Sequence, residues 1–288
     1  MSKRIVIAEE IADAGLDRLR SAGFIVDVQL NKSAGELHAI LDGAHALIVR
    51  SATMVDAAML AAGKQLVVVA RAGVGLDNID VEAATKQGVM VVNAPQSNVL
   101  SAAEHTMALI LSIARNVPQA HSALTAGRWE RSKWEGIELA GKTLGILGLG
   151  RIGQQVAKRL AGFDMDIAYS ARSPKEVPYA YVADPVALAA RSDVLIVTAL
   201  ANAQTRHIVS RQVLQALGPK GLLVNISRAS NIDEEALLDA LEAGTLGGAA
   251  LDVFEGEPHL NSRFLALPNV LLQPHHASGT VETRRAMG

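Results

Sequence analysis

Directly after the apolar run Thr143–Leu147 the chain reads Gly148-Leu149-Gly150-Arg151-Ile152-Gly153, followed by the good helix formers of Gln154 to Leu160. Glycines at this spacing let a backbone turn tightly, approach a pyrophosphate and pack a helix against a strand, with the helix N-terminus facing the phosphate charge. The spacing alone recurs by chance in glycine-rich chains, so its place between a strand and a helix carries the inference. A dinucleotide is the expected ligand, bound through Gly148, Gly150 and Gly153.

Beyond that motif, three polar residues follow predicted strands. Arg228 comes after Leu222–Ile226, Glu257 after Gly248–Leu251, and His275 after Val270–Leu272. A guanidinium at such a position could hold a carboxylate through two hydrogen bonds and polarise the carbonyl beside it. An imidazole could give a proton to an oxygen that becomes a hydroxyl and take it back in the reverse direction. A carboxylate could pair with that imidazole, orient it and favour its charged form. Each has a plain alternative: a surface ion pair for Arg228, a solvated carboxylate for Glu257, a satisfied loop histidine for His275. Their shared placement at strand ends, where open α/β sheets bind ligands, favours the chemical reading. Sequence alone leaves open which of His275 and its neighbour His276 faces the cofactor. No His and carboxylate set has a familiar zinc spacing, so no metal is expected.

The strand after the glycine motif closes on Ala168-Tyr169-Ser170-Ala171-Arg172-Ser173. A carboxylate at such a strand end would accept hydrogen bonds from a ribose 2′-hydroxyl, and none stands here. Ser170, Arg172 and Ser173 instead offer two hydroxyls and a guanidinium where a 2′-phosphate would lie. NADP(H) is therefore expected over NAD(H), with NAD(H) possible; an ordinary solvated loop is the alternative.

The elements that must position these groups read as alternating strands and helices. One series of short β-branched runs covers Ile5–Ile7, Phe24–Val28, Ala46–Val49, Leu66–Ala70 and Val89–Val92. A second covers Thr143–Leu147, Asp166–Tyr169, Val194–Thr198, Leu222–Ile226, Gly248–Leu251 and Val270–Leu272. Between them a helix is expected from Ser101 to Ala126, broken by Pro118, then a charged loop around Arg128–Trp134. With 288 residues, half of them hydrophobic, two domains are the expectation. A net charge of −2 lacks the basic footprint of a nucleic-acid binder. The absence of cysteine excludes disulfides and thiolate chemistry, and agrees with a cytoplasmic setting. No apolar run is long enough to span a membrane.

With these residues in view, the chain resembles the D-2-hydroxyacid dehydrogenase family over essentially its full length. The resemblance is carried by Arg71–Asp80, Ser101–Glu104, Leu147–Gly153, Leu251–Phe254 and Pro274-His275. It implies that Arg228, Glu257 and His275 form the catalytic set, and it selects His275 over His276 because the family histidine follows the proline. It further implies that Val74 and Gly75 hold the substrate carboxylate through their backbone, and that Arg151, Ile152 and Asp252 contact the cofactor. Residues up to about Ser170 look most like phosphoglycerate dehydrogenase, which would give Arg50 and Arg131 a substrate phosphate to hold. From Arg172 onward the chain is more similar to NADPH-dependent glyoxylate and hydroxypyruvate reductases, a change of affinity that suggests a mosaic, a chimera or a designed sequence. Ala229 departs from the family, which has glycine there, and predicts a disturbed backbone if the position needs positive φ. The chain ends at Met287-Gly288, where the family continues with a helix, so a truncated protein is expected.

The expected architecture is thus α/β in two domains: a flavodoxin-like substrate domain over residues 1–98 and a Rossmann-type dinucleotide-binding domain over 99–282, with 283–288 starting a return to the first. The expected function is reduction of a small 2-oxo acid such as hydroxypyruvate or glyoxylate, by a homodimer that the resemblance implies. Phosphoglycerate dehydrogenase is one alternative. A non-catalytic dinucleotide sensor is another, disfavoured because a sensor needs no proton donor.

Overall fold

The computed structural model describes residues 2–288. They form two compact units, 2–98 together with Ser278–Gly288, and Val99–Ala277. The chain returns to the first unit at Ser278, earlier than the boundary at 282 that the sequence suggests.

The first unit alternates β1 (Arg4–Ile7), α1 (Asp13–Ser21), β2 (Ile25–Val28), α2 (Ala34–Ile40), β3 (Ala46–Val49), α3 (Ala57–Ala62), β4 (Val68–Arg71), α4 (Val81–Gln87) and β5 (Met90–Asn93). The strands are all parallel in the order β2-β1-β3-β4-β5, which is the flavodoxin-like arrangement. Val6, Leu47, Val49 and Val69 point into one buried cluster with Leu37, Leu41, Met59 and Leu60 of the helices. Several helices start on side-chain caps. Ser33 and Glu36 form a reciprocal capping box on α2, and Asp56 and Asp80 cap α3 and α4.

The second unit opens with α5 (Val99–Ala114) and α6 (Val117–Thr125). The expected single helix broken at Pro118 is corrected here. The break falls at Asn116, which takes a left-handed φ of 51°, and Pro118 sits in the first turn of α6, where its missing N–H costs nothing. There follow β6 (Thr143–Leu147), α7 (Arg151–Leu160), β7 (Asp166–Ser170), β8 (Ala180–Tyr181), α8 (Pro185–Ala190), β9 (Val194–Val197), α9 (Arg211–Leu217), β10 (Leu222–Asn225), α10 (Glu234–Glu242), β11 (Gly248–Leu251) and β12 (Val270–Leu272). The last helix, α11 (Val281–Met287), belongs to the first unit.

The sheet order is β12-β11-β10-β9-β6-β7-β8, every neighbouring pair parallel. Strand order reverses between β6 and β9, the arrangement of a Rossmann-type domain. The short β8 was not legible in the sequence because two residues carry no period. Side chains alternate between faces: Leu144, Ile146, Ile196 and Val224 join one core cluster, while Leu147, Leu195, Val197 and Leu223 join the other. Both faces are buried, as parallel sheets with helical crossovers require. Truncating Ile146 to Ala would cost about 2–5 kcal/mol on the scale of buried aliphatic deletions. Because all strands run one way, the loops after β6, β10, β11 and β12 emerge at a single edge. Among the described residues no helix is long and apolar enough to cross a membrane.

Candidate active site

The glycine loop leaves β6 at that edge. Gly148 has φ of 97°, and a Cβ there would come within 2.6 Å of the Ala199 backbone. A Cβ at Gly153 would come within 2.7 Å of the Gly148 carbonyl oxygen, so this glycine lets α7 pack against the strand end. Gly150 differs: a Cβ there would meet nothing within 4 Å, and this residue is the N-cap of α7 with no side chain capping the helix. A ten-residue helix thus starts in open space with backbone N–H groups that no capping side chain satisfies. These features fit a dinucleotide pyrophosphate, which would lie over Gly150 against the start of α7.

Three strands along the same edge bring the polar residues together. Arg228 follows β10; its Nη1 donates to the Ser227 carbonyl at 2.7 Å. Its neighbour Ala229 opens a one-turn 3₁₀ helix and is not among the residues with positive φ, so the methyl group disturbs nothing. Nδ1 of His275 lies 2.8 Å from Oε2 of Glu257. The other carboxylate oxygen, Oε1, accepts the Phe254 N–H at 2.9 Å. Burial pushes the Glu257 carboxyl up, but the hydrogen bonds from His275 and Phe254 and the charges of His275 and Arg228 outweigh it and hold the group below the ordinary carboxylate range. His275 itself has φ of 50°, a left-handed conformation that is uncommon for non-glycine residues, although histidine enters it more often than most. Backbone strain of this kind concentrates at functional sites.

Asp252, directly after β11, is fully buried. Its Oδ1 accepts the His276 N–H at 2.6 Å and its Oδ2 the Ala277 N–H at 2.8 Å, so this carboxylate fixes the turn that carries His275. That function was not visible in the sequence, where Asp252 stood only as a cofactor contact implied by resemblance.

At the end of β7, Arg172 and Ser173 are exposed, and Arg172 makes no ion pair among the described residues. Ser170 is different. It is 7% exposed and its hydroxyl donates to the Ala183 carbonyl at 3.1 Å. Ser170 thus donates into the segment just past β8, a strand unseen in the sequence.

The sequence pattern of the family described as D-isomer specific 2-hydroxyacid dehydrogenase, NAD binding domain, matches residues 107–277. The chain belongs to this family. It is 42% identical over 290 residues to the D-3-phosphoglycerate dehydrogenase of Methanocaldococcus jannaschii, covering 99% of this chain and 55% of that relative. It is likewise 42% identical over 244 residues to glyoxylate/hydroxypyruvate reductase A of Arabidopsis thaliana, covering 84% of this chain and 78% of the relative. The chain therefore spans about half the length of the phosphoglycerate dehydrogenases it matches. Among solved structures, the NADPH-dependent glyoxylate/hydroxypyruvate reductase of Sinorhizobium meliloti, in complex with NADP and malonate, superposes with a TM-score of 0.90 at 37% identity, covering 100% of this chain and 90% of that one.

In the first unit of the chain, the residues expected to hold substrate lie after β3 and β4, again at one edge. Val74 and Gly75 are half-buried in the loop after β4. Asn93 Nδ2 donates to the Val74 carbonyl at 2.7 Å, and the Ala94 N–H donates to the Gly73 carbonyl at 2.9 Å. Arg50 follows β3 and borders a crevice of about 520 Å3 that Lys32 and Thr53 also line. Its loop is shaped by Glu9, whose Oε1 accepts the Arg50 and Thr53 N–H groups at 2.8 and 2.9 Å and whose Oε2 accepts the Ala52 N–H at 3.2 Å. Glu9 was missed in the sequence, although a carboxylate standing at once after a buried strand was the available signal. Arg131 lies in the second unit, exposed on a 3₁₀ turn over Arg131–Trp134 that packs beside α6.

Proposed function

We propose that the chain is an NADP(H)-preferring reductase of small 2-oxo acids such as hydroxypyruvate and glyoxylate. The single observation that carries the reading is the His275–Glu257 pair at 2.8 Å, set at the same sheet edge as Arg228 and the uncapped start of α7. When bound, the nicotinamide would supply or accept the hydride. The protein's own part is electrostatic and protic. Glu257 occupies Nδ1 of His275, which leaves Nε2 to face the substrate and to give its proton to the 2-oxo oxygen during reduction. The imidazole then keeps its Nδ1 proton on Glu257, and the reverse reaction returns a proton to Nε2. Arg228 would grip the substrate carboxylate and polarise the carbonyl beside it. Ile152 and Arg151 at the start of α7, and Asp252 below the turn, would border the cofactor. A homodimer is part of the proposal, supported by the exposed apolar side chains Leu100, Val117, Leu124 and Trp129 on and after α5 and α6.

The test is consumption of NADPH absorbance on adding hydroxypyruvate or glyoxylate. Turnover is expected with at least one; cofactor binding without turnover of any 2-oxo acid would withdraw the reading in favour of a dinucleotide sensor.

Likeness to phosphoglycerate dehydrogenases supports a second reading, in which 3-phosphohydroxypyruvate is the substrate and Arg50 and Arg131 are each a candidate contact for its phosphate. Replacing either arginine by Gln would then weaken 3-phosphohydroxypyruvate far more than glyoxylate, since only the former carries the phosphate. Equal losses on both would leave the short-acid reductase.

A further inference from the structure

We infer that His105 is a positioning residue for the proton donor, acting through Asp252. The inference rests on the reading of His275 as the acid and base.

Asp252 is 0% exposed, and a buried carboxylate is costly unless its charge is met. Two backbone N–H groups, from His276 and Ala277, meet part of it. Among the described residues its single ion-pairing neighbour is His105 of α5, whose Nε2 lies 3.5 Å from Oδ1. That nitrogen is itself buried and has no hydrogen-bond partner. An orphaned imidazole nitrogen beside a buried carboxylate is a pair waiting to shorten, and contacts in functional sites are often long before ligands tighten them. The His105 ring also stands edge-on to the His276 ring, with centroids 6.1 Å apart at 75°. His105 thus touches the turn twice, once through the carboxylate that fixes its backbone and once through the side chain next to His275.

The consequence concerns the left-handed φ of His275. That conformation costs energy and holds only where neighbours enforce it. Asp252 enforces it from below by gripping the next two amides, and the N–H of His105 Nε2 is the group placed to hold Asp252 in turn. With this donor removed, Asp252 is held by its two amide partners alone, the turn over His276 and Ala277 loosens, and His275 spends less time with its imidazole on Glu257. Cofactor affinity, set mainly at the glycine loop, stays as it was.

The experiment compares the full chain with His105→Met, which removes the donor at similar volume, and His105→Gln, whose amide nitrogen reaches about where Nε2 stands. Hydrogen exchange of the His276 and Ala277 amides is read by NMR, alongside kcat on hydroxypyruvate and NADPH affinity. In His105→Met we expect exchange at both amides to speed up about fivefold or more and kcat to fall about tenfold, the order contributed by a hydrogen bond to a charged group, with NADPH affinity unchanged. His105→Gln should restore both. Unchanged amide exchange in His105→Met, or a Gln variant as impaired as Met, overturns the inference. If His105→Met does not fold, His105→Asn, whose amide stops short of Asp252, takes its place with the same two outcomes. A wild-type chain that turns over no 2-oxo acid would withdraw the catalytic reading, while the exchange comparison would still decide whether His105 holds the turn.

Discussion

Glu257 and His275 face each other across 2.8 Å although 18 residues separate them, because β11 and β12 are parallel neighbours and deliver both loops to the same edge. The pair leaves one imidazole nitrogen free for substrate. His275→Ala should therefore lower turnover by about 10²-fold or more, the lower range of general acid catalysis, with NADPH affinity almost unchanged. Steady-state kinetics with a parallel binding titration checks this, and a near-normal kcat would remove His275 from the proton-transfer step.

Glu257→Gln probes the other half of the pair. The carboxyl is held below its ordinary range, so it stays ionised beside the imidazole through mild acid. Removing the carboxylate takes away the charged partner that orients Nδ1 of His275 and should lower kcat by about tenfold, the order of a hydrogen bond to a charged group. The same group is linked to stability. A carboxyl depressed by folding stabilises the fold above its unfolded value of about 4.3 and loses that contribution as pH falls through the folded value. The variant's Tm deficit should accordingly be larger at pH 7 than at pH 3. An unchanged kcat would show that Glu257 does not act on the proton donor.

All strands but β8 were legible because each is a short run rich in β-branched or aliphatic residues, and away from the sheet edges these are buried on both faces. Boundaries shifted by a residue or two, as at Val68–Arg71, where the first residues of the expected run lead into the strand. The glycine loop was legible for a different reason, since its three glycines meet three separate physical demands. What the sequence concealed were contacts between distant loops. Nothing near Asp252 announces that it grips the amides of residues 276 and 277, and nothing near His105 announces that it stands beside Asp252. Ser170 shows the converse. Its residue type suited a phosphate, and its hydroxyl donates to the Ala183 carbonyl just past a two-residue strand too short to have a period.

Glu234 offers a test of the loop bearing Glu257. It accepts the Glu255 N–H at 2.9 Å, yet burial, with the nearby charges of Glu255 and Glu235, pushes its carboxyl above the usual range despite that hydrogen bond. A carboxyl raised by folding stabilises the fold below its unfolded value, and that contribution is lost as pH rises through the folded value. Glu234→Gln keeps an oxygen to accept the Glu255 N–H and removes the charge. Its Tm relative to the parent should rise between pH 4 and pH 7. Thermal unfolding at the two pH values checks this, and a difference that shrinks with rising pH would contradict the role given to burial.

Cofactor preference turns on Arg172. No carboxylate stands at the end of β7 to bind a ribose hydroxyl or repel a phosphate, and with Ser170 turned inward Arg172 and Ser173 are the groups left to meet a 2′-phosphate. The guanidinium is exposed and without an ion pair among the described residues, so binding a phosphate would break no existing contact. Opposite unit charges about 4 Å apart gain about 1 kcal/mol in water and about 4 kcal/mol at an effective dielectric of about 20. An exposed arginine lies between these limits, and about 1.4 kcal/mol corresponds to tenfold selectivity. The parent should therefore favour NADPH over NADH in kcat/KM by about tenfold. Arg172→Ala should lose activity mainly with NADPH, and added salt should erode the parent's preference as it screens the contact. Measuring kcat/KM for both cofactors in parent and variant, at low and raised ionic strength, decides the matter. A parent that favours NADH, or a variant with an unchanged cofactor ratio, would show that the loop after β7 does not read the phosphate.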